Sequence, residues 1–192
     1  MLKIALILPG ATDYVSQGRI QGSLDMPLNG EGIGEAQRLA GELKPAALEV
    51  LYTSDSEPSV ETATIISTAL GLKLKKLDKL GNINHGLWQG LLMDDVKRKQ
   101  PKVYRQWQDQ PESVCPPEGE TVAEARERVQ AALAKITKKH KTGVVGMVVP
   151  EPLASVVRVH LGAGELGDLC RASAAHGQWE LISVGTPTVA HT

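Results

Sequence analysis

Leu6-Ile7-Leu8-Pro9-Gly10-Ala11-Thr12 decides the architecture: an aliphatic run that begins at Lys3 stops at Pro9-Gly10. A continuous apolar run ended by Pro and Gly reads as a strand buried on both faces, the kind that builds parallel sheets. The turn after such a strand lies at the carboxyl edge of the sheet, where open α/β folds bind ligands. Here that turn is chemically blank. Leu8-Pro9-Gly10-Ala11 offers no nucleophile, no proton-transfer group and no metal ligand.

Outward from this stretch, apolar runs and helical periods alternate, which is the pattern of an α/β layer fold. Strands are predicted at 3–8, 49–53, 72–77, 144–149 and 179–184. Asn29 caps a helix that runs to Lys44, with Ile33, Ala36, Leu39, Ala40 and Leu43 at helical spacing. A second helix starts near Glu57, with Pro58 suited to its first turn. Residues 91–110 hold one or two helices interrupted at Pro101. Thr121 and Glu124 form a capping box for a helix with Val122, Ala125, Val129, Ala132, Leu133 and Ile136 on one face. A further helix covers 153–161, and 110–120 and 162–177 are expected to be irregular. The expectation is a single domain over 1–192, a three-layer αβα sandwich around a mostly parallel central sheet.

Composition narrows the function. Hydrophobic residues make up 42% of the 192, enough for one sizeable core. Phe is absent and aromatics total 3%, so that core is aliphatic. A net charge of −1 with both signs interspersed leaves no overall footprint for nucleic acid or an anionic membrane. No apolar run approaches the roughly 20 residues of a membrane span, and the apolar start lacks a cleavage site. Cys115 and Cys170 fit no paired spacing and read as reduced thiols in the cytoplasm. The histidines at 85, 140, 160, 176 and 191 show no metal-ligand spacing, so neither metal nor cofactor is expected. Gly30-Glu31-Gly32-Ile33-Gly34 follows no strand and has the wrong spacing for a dinucleotide loop.

Three longer stretches, SQGRIQGSLDMPLNGEG (16–32), LYTSDSEPSVETATIIS (51–67) and PPEGETVAEARERVQAAL (116–133), carry more. With LGNINHGLWQG (80–90) and the strand before Pro150, they resemble the histidine phosphatase superfamily, which includes phosphoglycerate mutases. The resemblance implies a phosphoglycerate mutase-like fold. It also implies a chemistry: a histidine after the first strand takes the phosphoryl group, two arginines and a second histidine hold its oxygens, and a carboxylic acid protonates the leaving oxygen. Carried over position by position, the first arginine falls on Leu8, the nucleophile on Pro9, the second arginine on Pro58, the acid on Asn82 and the second histidine on Glu151.

The resemblance therefore implies a pseudoenzyme: a binding or regulatory protein for a small molecule or protein partner, without nucleic acid or membrane, able to form a homo-oligomer. The alternative is a divergent phosphohydrolase, or another enzyme, using other residues of the same cleft. Gln17, Arg19, Glu57, His85 and Pro150 are the candidates to line that cleft, and His85, Glu57 and Glu151 are the titratable groups near it. For His85 the expected role is a structural imidazole with satisfied nitrogens. Trp88 reads as packing, and Glu118 and Glu120 as charges favoured by a helix start. Glu151, in a place that implies a histidine, is expected to invert the cleft's polarity and make phosphate a poor ligand.

Overall fold

A computed structural model describes residues 1–185; His191 lies outside them. In chain order the elements are β1 (Leu2–Ile7), α1 (Asp13–Ser16), α2 (Gly30–Leu43), β2 (Val50–Thr53), α3 (Glu57–Leu70), β3 (Leu74–Lys76), α4 (Met93–Lys99), α5 (Pro101–Asp109), α6 (Val122–Lys139), β4 (Gly143–Val148), α7 (Leu153–His160), α8 (Leu169–Ala172) and β5 (Trp179–Ser183). The strands form one sheet in the order β3-β2-β4-β1-β5. Neighbours run parallel, with Ile4 opposite Val145 and Leu51 opposite Gly146. The exception is β5, antiparallel on the β1 edge with Ile182 opposite Ile4.

Alternation along β1 feeds two cores, because successive strand side chains point to opposite faces. Ile4 and Leu6 pack with Val129, Leu133 and Ile136 of α6 and Val156 of α7. Ala5 and Ile7 pack with Leu39 and Leu43 of α2 and Ala63 and Ile66 of α3. This gives three layers. The predicted face of α6 is buried at every named position, and Thr121 and Glu124 make the reciprocal bonds of the capping box. Pro101 starts α5 after a non-helical Gln100, which splits 91–110 in two.

Predicted boundaries shift by a residue or two, as helix and strand ends fray. The largest shortening is at 72–77, where Leu74–Lys76 is strand. The stretch 162–177, expected to be irregular, contains α8, one turn whose amides Cys170 N and Arg171 N donate to the Asp168 carboxylate. A third cluster of Ile20, Trp88, Val96, Trp107, Val114 and Cys170 flanks the sheet's carboxyl edge, so Trp88 is packing.

The turn after β1 is fixed by its backbone. A Cβ on Gly32, in the first turn of α2, would overlap the main chain of Ala11, and one on Gly10 would overlap that of Gly32. Glycine at both positions lets the helix start press against the turn. That accounts for Gly32 within the Gly30-Glu31-Gly32-Ile33-Gly34 run; its N–H donates to the Asn29 cap at 2.9 Å.

Candidate active site

The carboxyl ends of β1, β2 and β4 open into one cleft. Its wall is made by Pro9, Gly10, Thr12, Pro58, Asn82, His85, Pro150 and Glu151, and its rim by Gln21, Ser173 and His176. Pro9, Pro58, Pro150 and Pro152 are among its lining residues, and its cavity volume is about 30 Å³, more than the roughly 10–15 Å³ that one bound water needs. Among the described residues no Lys or Arg lines it. The residues from the strand ends, Pro9, Pro58, Asn82, His85, Pro150 and Glu151, come together here as the sequence places them.

Four others do not line it. Leu8 turns into the core, 3% exposed. Glu57 is exposed on the outer side of α3's start, where its backbone N–H donates to Asp25 at 3.0 Å. Arg19 folds back, donating to Gly90 O at 2.7 Å and to the exposed Gln17 side chain at 2.9 Å. Those bonds hold both side chains outside the cleft.

The expected inversion of polarity by Glu151 does not occur either. Its carboxylate, buried against α7, accepts from Ser155 N at 3.0 Å, from Ser155 Oγ at 2.9 Å and from the Arg158 guanidinium. Burial disfavours the Arg158 charge, but the Glu151 and Glu180 carboxylates outweigh it and hold its pKa above the ordinary value. The negative charge is neutralised inside the wall. Asn82 is likewise committed: Nδ2 donates to Glu151 O at 2.7 Å, and Oδ1 accepts from Ile83 N at 2.9 Å. Glu120, read from sequence as serving a helix start, instead holds Arg128 at 2.5 Å; Arg128 in turn donates to the carbonyls of Lys79, Gly81 and Asn82.

His85 departs most from its expected role. The residue is 3% exposed, and neither ring nitrogen has a hydrogen-bond partner. Its ring meets Trp107 edge-on at 5.2 Å. Burial pulls its pKa from 6.5 down to about 4, so the imidazole is neutral at physiological pH with a free lone pair. Its loop is set by Gly86, whose φ is +50° and whose Cβ would strike Pro117 O. A buried polar group left without a partner costs about 1–3 kcal/mol, so two such nitrogens on a cleft wall call for a physical reason.

His176 was not singled out by the sequence. Its Nδ1 lies 2.8 Å from Glu35 Oε1, and Glu35 Oε2 also accepts from Ala11 N at 2.9 Å. Gly177 N donates to Pro9 O at 2.8 Å, fastening this loop to the turn after β1. Glu35 and His176 are 141 residues apart. The one local signal, Glu31 and Glu35 on the same face of α2, is too common to have pointed to them.

Residues 4–171 match the model of the histidine phosphatase superfamily (branch 1). The chain belongs to that superfamily. Phosphoserine phosphatase 1 of Hydrogenobacter thermophilus is 34% identical over 148 residues, covering 77% of this chain and 70% of the relative. Phosphoglycerate mutase-like protein 4 of Arabidopsis thaliana is 33% identical over 72% of this chain and 62% of its own length. Bacillus stearothermophilus YhfR superposes with a TM-score of 0.82 at 23% identity, over 96% of this chain and 92% of its own. A mycobacterial glucosyl-3-phosphoglycerate phosphatase in complex with VO3 has a TM-score of 0.82 at 21% identity, covering 94% and 90%. At these identities the solved structures establish the fold. The expectation of a pseudoenzyme is corrected by the superfamily match and the 34% identical phosphoserine phosphatase, which favour the alternative of an enzyme working in the same cleft.

Proposed function

We propose that the chain is a divergent phosphohydrolase that works in this cleft with residues of its own. The observation that carries the reading is His85, neutral, buried and with both ring nitrogens free on the cleft wall. A neutral imidazole held out of water is a competent nucleophile toward phosphorus. One ring nitrogen attacks the phosphoryl group, the ester oxygen leaves with the bonding pair, and water then hydrolyses the phosphohistidine. His176 is the proton donor to the leaving oxygen: Glu35 orients it through Nδ1, which leaves Nε2 for the substrate. The tight floor admits a small reacting group and leaves the rest of the substrate at the rim. Phosphomonoesters such as phosphoserine are the first substrates to test, because the 34% identical relative is named for that activity.

Purified protein assayed against phosphoserine, phosphoglycerate and an aryl phosphate should release phosphate above the buffer control. His85→Asn should abolish release, and acid-quenched wild type should carry acid-labile phosphate. Background activity on all three substrates, or turnover that survives His85→Asn, would overturn the reading. The free thiols of Cys115 and Cys170 support a reducing compartment, the cytoplasm. Among the described residues no helix is long and apolar enough to cross a membrane.

A further inference from the structure

Away from the carboxyl-edge cleft, the C-terminal half of α6 and the edge strand β3 enclose a groove of about 380 Å³. The buried Tyr52 and Ile136 form its floor, and Leu77, Lys75, Lys76, Lys135 and Lys139 line the rest of it. Lys73 and Lys138 flank it, exposed. Two ordinary reasons account for lysines on each element taken alone. Edge strands carry lysine to discourage pairing with other chains, and cations near the end of α6 suit the helix dipole.

Neither reason accounts for their convergence. Lys75 and Lys139 meet across the groove, which holds the Lys75 pKa below its ordinary value through the interaction with Lys139, loss of water, and repulsion from Lys139 and Lys73. The Lys75 ammonium also stands 5.6 Å from the centre of the Tyr52 ring. Among the described residues none of these lysines forms an ion pair, although the chain is close to neutral and has 22 carboxylates to supply one. Like charges gathered over an apolar floor repel one another until an anion arrives, and lysine ammoniums are compact point charges suited to phosphate oxygens.

We propose that this groove is a binding site for a small anion carrying several linked phosphates, held by Lys75, Lys76, Lys135 and Lys139 over Tyr52 and Ile136. Its lysines come from two elements on opposite sides of the groove. A chain of linked phosphates brings these four ammoniums more negative charge and more oxygens than a single phosphate does. The site is independent of the cleft and of the reaction proposed there, and it is read by binding rather than turnover.

The test is calorimetric titration of the full chain with inorganic tripolyphosphate at near-physiological ionic strength. One site per chain is expected, with orthophosphate binding far more weakly. Lys75→Gln combined with Lys139→Gln should weaken binding about a hundredfold, about tenfold for each ammonium removed. Lys44→Gln combined with Lys102→Gln removes the same charge from exposed positions elsewhere and should leave affinity unchanged. His85→Asn should also leave it unchanged. The proposal is overturned by no binding, by equal weakening in the two double variants, by orthophosphate binding as well as tripolyphosphate, or by loss of binding in His85→Asn. A single-stranded oligonucleotide that binds where tripolyphosphate does not would also overturn it.

Discussion

His85 and His176 line one cleft, yet the protein treats the two imidazoles in opposite ways. His85, on the deep wall, has aromatic and apolar neighbours and no partner for either nitrogen; His176, on the rim, is tied by Nδ1 to a carboxylate that also holds the turn after β1. A partner positions a ring and fixes its tautomer, whereas desolvation keeps a ring neutral and its lone pair available. On the function proposed above, this difference gives the buried ring the attack and the tethered ring orientation and proton delivery.

Activity offers the largest effect that could break this contrast. His85→Asn should lower kcat/KM by about a thousandfold or more, as loss of a nucleophile does, while His176→Asn should lower it by about a hundredfold, as loss of a general acid does. Equal losses in steady-state assays would erase the distinction.

The pH dependence of stability comes next. His85 has a folded-state pKa of about 4 against 6.5 unfolded, so between those values the unfolded chain binds more protons. Its contribution is complete above pH 6.5 and declines as the pH falls toward 4, by about 3 kcal/mol in total. Urea unfolding at a series of pH values should show that slope in wild type and lose it in His85→Leu. A slope unchanged in the variant would show that the ring is already solvated.

Removing the counter-charge from the deep wall is a smaller perturbation. Arg158→Met leaves the buried Glu151 carboxylate with Ser155 alone, at a cost of about 2 kcal/mol, discounted from a fully buried pair because the arginine is 25% exposed. Chemical denaturation reads it directly. Glu35→Gln is the mildest change, about 1 kcal/mol. It should appear as faster amide exchange at residues 176–178, and the amides of His85 and Gly86 should exchange as before. Faster exchange at both places would mean that rim and wall move together.

Most of the frame could be read from sequence because it rests on local patterns. The β1 run, Pro58 in the first turn of α3, the Thr121–Glu124 capping box and the interruption at Pro101 each follow from residues within a few positions of one another. Convergence of Pro9, Asn82 and Glu151 on one cleft follows from strand ends sharing an edge. Side-chain partners were out of reach. Glu151 reads as a free negative charge because it precedes α7 and its arginine lies seven residues along, inside that helix, and Arg19 reads as a cleft residue because nothing in its neighbourhood points to Gly90. The orphaned nitrogens of His85 are defined by what surrounds them in space, and no local pattern signals them.

The close approach of Gly10 and Gly32 has a consequence for substitution at its neighbour, Pro9. The course of the turn is held by main-chain atoms: the start of α2 abuts Ala11, Gly10 N donates to Thr62 Oγ1 at 3.0 Å, and Gly177 N donates to Pro9 O. None of these restraints uses the side chain at position 9. The turn behaves as a fixed chuck and residue 9 as its interchangeable bit, so exchanging Pro9 for another residue should alter what the cleft presents without moving the clamp, whereas Gly32→Ala should displace the clamp itself.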